Sequence, residues 1–572
     1  MPKINDGKHF GLVWEDHHPG YEPLWNNEVN EGSIVKLLNP RGEKPLFYSD
    51  DVWKVDAIND SIATIENNDG RITTWNVEDL VVVADLNEYN DVQLVHDGEV
   101  IGGDKDDVYH SIINGENLLA LKLLEKTHTG KIDAIYIDPP YNTGAKAWKY
   151  NNHFFDKSDK YRHSKWLSFM DERLRIAKKL LNPDNSVLIV TIDEKEYLRT
   201  GLLLEEIFPE ASIQMVSSVI SQSGAYRERQ FHRTNEFLYF VQMGKASPSP
   251  LALNKDWSLG KNESIVAKKG ITWSGLRRGG DMYRRHSPGC FYPIYIKDND
   301  IVEVGDPIPP HISSKEFIDH YNGDCEIVLP IDSHGNEVRW QHTPSGLKKL
   351  KENGYVKVGR NNSISYLSRG NIKKIENGSV KIIGYDETDG HVIVDSTGYI
   401  RSFVPGTQWN IASHDASTNG TNVIKAILGD RRFDYPKSLY AVEDALRFFV
   451  KDKPNAVILD FFGGSGTTAH AVMRLNLEDG GSRQAIVISN NEVSDDEKKD
   501  FIAKGLRPSD DEWNDHGICQ YVTKPRVKAV ITGKTAKSGF VEDIKGNYRY
   551  NQEFPISDGI KANARFFNLV VK

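Results

Sequence analysis

Two stretches of the chain repeat one grammar, strand then helix, and that repetition limits the fold more than any other feature. In the first, "GENLLALKLLEK" has helical spacing and "KIDAIYI" is an apolar run of strand length. "SKWLSFMDERLRIAKKLL" then carries one apolar helical face and stops at Asn182-Pro183, after which "SVLIVTID" and "EYLRTGLLLEEIF" repeat the pattern. In the second, "YPKSLYAVEDALRFFV" precedes the strand "NAVILD", the glycine turn and helix "FFGGSGTTAHAVMRL", and the strand "QAIVIS". Strands alternating with helices predict βαβ units around a parallel sheet.

At 572 residues the chain is too long for one ordinary core. Residues 1–30 read as a tail, and 31–95 as a small β-barrel-like domain of short alternating runs separated by Asn, Asp and Gly turns. The α/β halves occupy 96–245 and 426–500. Between them, 246–425 is rich in Gly, Ser, Asn, aromatic and basic residues and weak in helical periodicity, which predicts an inserted domain. The extension 501–572 contains "GICQYVTKPRVKAVITG", expected to add a strand and helix at the sheet edge and no chemistry.

No apolar run approaches the ~20 residues of a membrane span, and the N-terminus lacks a signal-type apolar core. Cys290, Cys325 and Cys519 are far apart, which argues against disulfides or a zinc site. No HExxH or similar spacing occurs, so no metal is expected, and a cytoplasmic location is. The net charge of −10 is concentrated: residues 1–100 hold 20 acids and 7 bases, a net −13. The remainder is close to neutral, so a basic groove for a nucleic acid is compatible with the composition.

The turn "LDFFGGSGTTAHAV" places glycines between a strand and a helix, where backbone can approach a ligand at the helix N-terminus. A Walker loop would need a Lys after Gly466, and none is there. Gly464, Gly466 and Ala469 fit a dinucleotide fingerprint, with Glu492 about 20 residues on. S-adenosylmethionine is the third ligand of such turns, again with a carboxylate on the ribose hydroxyls. More than 300 residues earlier, Asp138-Pro139-Pro140-Tyr141 also follows a predicted parallel strand. One sheet would carry both motifs to its ligand-binding edge.

Together these motifs resemble the amino-methyltransferases of DNA, whose hallmarks are DPPY and FxGxG, standing here as Asp138–Tyr141 and Phe462-Gly463-Gly464-Ser465-Gly466. The motif order is similar to the beta subclass. "NGENLLALKLL", "IYIDPPYNTG", "SVLIVTIDEKEY", "FDYPKS" and "LDFFGGSGTTAHAV" resemble the modification (Mod) subunits of type III restriction–modification systems. The resemblance implies a Rossmann-like S-adenosylmethionine-dependent core with an inserted target-recognition domain. It implies methyl transfer in double-stranded DNA to adenine N6, because Asp138 stands where the cytosine-N4 enzymes usually carry serine, with cytosine N4 as the alternative. A DNA-recognition subunit with vestigial catalysis and an NAD-dependent enzyme are the competing readings. A homodimer and a restriction endonuclease subunit are the implied partners.

Under that resemblance Asp138, Pro139, Pro140 and Tyr141 are the catalytic loop. The carboxylate and the Pro139 carbonyl would accept from the base amino group, and Tyr141 would stack on a flipped base. Asp460, Phe462, Gly463, Gly464, Gly466, Thr467, Lys437, Ser438, Glu492 and Asn117 are expected around the cofactor. For Asn117 a helix N-cap is the competing role, and for Phe462 a place in the core. Asp193 is expected to shape its loop. The basic runs "AYRERQFHR" and "LRRGGDMYRRH" offer Arg227, Arg229, Arg233, Arg277, Arg278, Arg284 and Arg285 as phosphate contacts, with a solvated charged face as the alternative.

Overall fold

The computed structural model describes residues 12–16, 20–25, 27–85, 92–142, 160–222, 224, 229–253, 257, 271–277, 282–395, 402–537, 540–543 and 556–571. They form two compact units, Met1–Pro250 with Val404–Lys572, and Leu251–Phe403.

The first unit is built on a ten-stranded sheet. Six neighbours run parallel, in the order Asn185–Ile192, Ala134–Ile137, Val457–Asp460, Gln484–Ser489, Tyr109–Asn114 and Asn563–Val571. Antiparallel partners flank them, Asn235–Gly244 on one side and Val92–Ile101 on the other. Every residue of Ala134–Ile137 is buried, as expected for a strand covered on both faces. The helix Arg162–Leu180 buries Trp166, Met170, Leu174 and Ala177 on one stripe and ends before Asn182-Pro183.

The site is positioned by one pairing. Val457–Asp460 lies directly against Ala134–Ile137, with Ile458 opposite Ala134 and Leu459 opposite Ile135. The chain order of the strands breaks here, because Val457–Asp460 enters the sheet more than 300 residues after its neighbour. Such a switch point leaves a crevice beyond the strand ends.

The N-terminal segment forms a six-stranded antiparallel sheet, ordered Tyr21–Pro23, Leu80–Asp85, Ile34–Leu38, Phe47–Asn59, Ile62–Asn67, Ile72–Asn76. Its first and last strands do not pair among the described residues, so the hydrogen-bonded ladder is open. It curls nonetheless: the Tyr48 and Trp75 rings, from its fourth and last strands, meet at 5.1 Å. The domain ends at Asp85, short of 95, because Val92–Ile101 belongs to the central sheet. It docks through Leu38, Leu46 and Val81 on Val493, Phe501, Ile502 and Trp513. The nearly buried Arg507 reinforces this joint, donating to Asp79 and to the carbonyls of Glu78 and Asn39.

Residues 501–572 prove integral. Asn563–Val571 sits between two other strands of the central sheet, where an appended tail would leave a gap. The insertion is also shorter than the 246–425 expected from composition, because Gln408–Trp409 pairs with Ser212–Val219 in the first unit. The second unit contains two three-stranded sheets around Leu276, Tyr292, Ile294, Ile296, Trp340 and Leu347. No described helix is long and apolar enough to cross a membrane.

Candidate active site

The loop after Ala134–Ile137 is held at Asp138, Pro140, Tyr141 and Asn142, each by a different partner. The Thr191 hydroxyl donates to Asp138 Oδ1 at 2.6 Å, from the neighbouring strand. The Trp166 indole donates to the Pro140 carbonyl at 2.7 Å. Pro139 has no amide proton, and no described residue donates to its carbonyl. The Tyr141 hydroxyl donates to Glu236 at 2.9 Å. Asn142 takes the left-handed conformation (φ 54°), which asparagine tolerates, and donates to the buried Glu196 at 2.5 Å. A loop restrained this way needs little reorganisation when a substrate arrives.

Lys437 joins this loop to the cofactor half of the sheet. Its ammonium lies 3.2 Å from Asp138 Oδ1 and 2.5 Å from Glu236 Oε2, and it also donates to the Tyr141 hydroxyl. Burial opposes its charge, but Asp138 and Glu236 outweigh that and hold it above the ordinary lysine value. Burial, and then the same two carboxylates, push the Tyr141 phenol well above its ordinary value, so it remains a donor. Removing one member of such a buried cluster typically costs ~3–5 kcal/mol, because the others are left uncompensated. Glu236 was not singled out from the sequence. The clue was a lone acid at the start of the apolar strand "NEFLYFVQMG".

On the adjacent strand end, Asp460 is 4% exposed and accepts from Thr468 Oγ1 at 2.5 Å and from the Phe462 amide at 2.9 Å. Burial pushes its carboxyl up to about 7, so its charged form is costly without a cationic neighbour. Gly463 presses on the next strand, where a Cβ would sit 2.3 Å from Val487 Cγ1. Gly466, at φ 75°, precedes the helix Thr467–Asp479. These residues open on a cleft of about 230 Å³ lined also by Asp138, Phe433, Lys437, Val442, Thr467 and Ile518.

Several expected site residues are engaged elsewhere. Ser438 caps the helix Leu439–Val450 and donates to the Ser413 carbonyl, so its hydroxyl is spent on the fold. Asn117 is neither N-cap nor cleft wall: Glu116 is the cap, and Asn117 bridges Arg173 and the Phe461 carbonyl beneath the glycine loop. Glu492 stands outside the cleft lining, its carbonyl accepting from Ile518, while Ser494 and Glu497, the capping box of the next helix Asp495–Ala503, line the cleft. Phe462 fills both of its expected roles, lining the cleft and packing on Phe461 and Phe169. Asp193 is pushed up to about 6, chiefly by burial, and pairs with Arg233 at 3.3 Å.

The arginines divide in the same way. Arg233 pairs with Asp193 and Glu194 and lies over the Tyr141 ring, which makes it part of the site wall. Arg284 is 8% exposed and donates through both terminal nitrogens to Glu337 and to the carbonyls of Ile308, Pro309 and Ile312, a structural clamp whose remaining donor, Nε, is buried away from any phosphate. Arg229, Arg277 and Arg285 are exposed. Arg227 and Arg278 lie outside the described residues. In the insertion Asp386, Asp389 and His391 stand close enough to hold a cation, but Asp386 already accepts from the Thr388 and Asp389 amides of its turn and Asp389 from the Val358 amide of the strand Val356–Gly359.

An acidic proline loop and a glycine loop on neighbouring parallel strands define a site of the DNA-methylating type. The sequence model of the DNA methylase family matches residues 132–499, and the chain belongs to that family. It is similar to the type II methyltransferase M.KpnI of Klebsiella pneumoniae, 30% identical over 391 residues, covering 68% of this chain and 82% of that protein. It is also similar to the type III restriction-modification enzyme EcoPI Mod subunit of Escherichia phage P1, 27% identical over 462 residues. That match covers 75% of this chain and 63% of the relative, so this chain spans a little under two thirds of it. The StyLTI Mod subunit of Salmonella typhimurium is 27% identical over 414 residues, 68% of this chain and 54% of that protein.

Proposed function

We propose that this protein transfers a methyl group from S-adenosylmethionine to the N6 amino group of an adenine in double-stranded DNA, as the modification and recognition part of a restriction–modification system. The observation that carries the reading is the pairing of Val457–Asp460 with Ala134–Ile137, which sets Asp138 and the glycine loop on one cleft.

The residues around that cleft fit the cofactor. Asp460 is a buried acid in want of a cation, which suits an ammonium group. Phe433 and Phe462 offer apolar surface, and the glycine loop offers backbone at a helix N-terminus. When bound, S-adenosylmethionine supplies a methyl group activated by its sulfonium. Asp138 and the Pro139 carbonyl accept the two amino hydrogens of the base and localise its lone pair. Thr191 and Lys437 both contact Oδ1 of Asp138, so Oδ2 is the oxygen assigned to the base in this reading. A base must leave the duplex to reach this depth, and in this reading Tyr141 stacks on it.

The insertion Leu251–Phe403 is read as the recognition domain, with Arg277 and Arg285 among its exposed cations. A homodimer and a restriction endonuclease subunit are the proposed partners, by likeness to the Mod subunits. Modification-sensitive sequencing of host DNA with and without the gene tests the reading. N6-methyladenine at one sequence motif, present only with the gene, is expected. Methylation at cytosine N4, or none, would contradict it.

A further inference from the structure

The segment 518–526 lies beyond the part of the chain matched to the DNA methylase family, which ends at residue 499, yet it touches the glycine loop at successive points. Ile518 lines the cleft. The Tyr521 ring lies 4.4 Å under the guanidinium of Arg432, another cleft residue, and its carbonyl accepts from that side chain at 3.3 Å. The fully buried Thr523 donates to the Gly464 carbonyl at 2.6 Å. Arg526, 1% exposed, donates to the Ser465 carbonyl at 3.2 Å, Ser465 Oγ at 3.1 Å and Thr467 Oγ1 at 2.8 Å. Those three bonds come from Nη1, and Nη2 meets Nδ1 of His470 at 3.3 Å. Burial, with help from Arg526 and Arg474, keeps that histidine neutral, so it can accept.

Two features argue that this arrangement serves the loop as well as the core. Arg526 has no carboxylate partner among the described residues, and a guanidinium buried without a counter-charge is costly enough to push it down to about 9. Its Nη1 donors go to the loop's own carbonyl and hydroxyls, where an apolar residue would fill the same space without the penalty. Further, Cys519–Thr523 forms a π-helical turn running directly into the helix Lys524–Thr532. Such turns are rare and gather at functional sites. This one sets Thr523 and Arg526 on the same side, facing Gly464 to Thr467.

We infer that Thr523 and Arg526 are positioning residues for the cofactor: they brace the glycine loop from behind and set its conformation for S-adenosylmethionine. The inference rests on the cofactor reading proposed above. The C-terminal segment is then part of the cofactor site, though it lies outside the matched family region.

The test is equilibrium binding of labelled S-adenosylmethionine to the full chain, with steady-state methylation alongside. Arg526→Met should raise Kd and the cofactor KM by at least about tenfold, the scale of a lost charged hydrogen bond. Its kcat at saturating cofactor should stay within about threefold, since Arg526 touches no residue of the DPPY loop. Arg526→Lys should recover part of the affinity, because the charge returns without the fork. Thr523→Val removes a single hydroxyl at nearly constant shape and should raise Kd by about three- to tenfold. That variant decides the matter if Arg526→Met does not fold. Folded variants with wild-type Kd, or a loss confined to kcat, would overturn the inference. Absence of binding by the wild type would instead overturn the cofactor reading.

Discussion

Acidification from pH 8 to pH 6 should cost the protein most of its cofactor affinity, and Asp460 is the reason. Its carboxyl is pushed up to about 7 by burial, against an ordinary 3.8, despite the two donors it holds. A cationic group binds the ionised form. With a pKa near 7, roughly nine tenths of the protein is ionised at pH 8 and roughly one tenth at pH 6, so affinity falls by about tenfold. The sign for folding is opposite. The folded state holds this proton where the unfolded chain has lost it, so without ligand Asp460 lowers stability as pH rises from about 4 to about 7. The full three-unit shift corresponds to ~4 kcal/mol. Other groups titrate in this window, Asp193 among them at about 6, so the reading is the difference between wild type and Asp460→Asn. Equilibrium binding of labelled S-adenosylmethionine from pH 5.5 to 8.5, paired with thermal unfolding of the ligand-free protein, measures both signs. The variant should bind weakly and lose the wild-type pH dependence. A wild-type affinity that is flat across the range, or that falls equally in Asp460→Asn, would refute the reasoning.

Tyr141→Ala should weaken capture of the base by about 1–3 kcal/mol, the scale of base–aromatic stacking. Mismatched targets should be partly spared, because less unpairing energy is needed, and KM for paired and mismatched duplexes would show this. Arg507→Ala leaves Asp79 nearly buried without its partner and should destabilise the joint with the N-terminal sheet by about 3–5 kcal/mol. Limited proteolysis should then cut between the sheet and the body sooner than in wild type. Arg284→Ala should lower the melting temperature of the chain, whereas Arg285→Ala should fold normally and weaken DNA binding with a shallower salt dependence. Equal DNA-binding losses without destabilisation would show that Arg284 had been misplaced as a clamp.

The alternating strand and helix pattern carried the parallel sheet, because buried parallel strands read as short apolar runs and their crossovers as amphipathic helices. What it did not carry was neighbourhood. Nothing local in "NAVILD" says that it pairs with "DAIYI" across more than 300 residues; only the two loop motifs suggested it. Side-chain roles were less legible than loop positions. Ser438 and Asn117 are polar residues beside the right loops, yet their hydrogen bonds turn inward, to Ser413 and to Phe461. Arg233 and Arg284 read as surface charge because composition gives no burial; each meets its acid only in the fold. Glu236 was missed for a related reason: a single acid at the head of an apolar run announces burial with a partner but not which partner. Arg526 stands between Lys524 and Lys528 and reads as surface charge. The place of the C-terminal strand inside the sheet follows from its pairing with Tyr109–Asn114 and Val92–Ile101, which no local pattern announces.

The central claim is that Asp138 performs methyl transfer in a cleft whose cofactor is held by the neighbouring strand end. The most direct measurement is nucleoside mass spectrometry of duplex DNA incubated with deuteromethyl S-adenosylmethionine and either wild type or Asp138→Ala. The account predicts labelled N6-methyladenine with wild type and at least about a thousandfold less with the variant, which still binds cofactor within a few-fold of wild type. Labelled adenine at wild-type rates from Asp138→Ala, or label on cytosine, would contradict it.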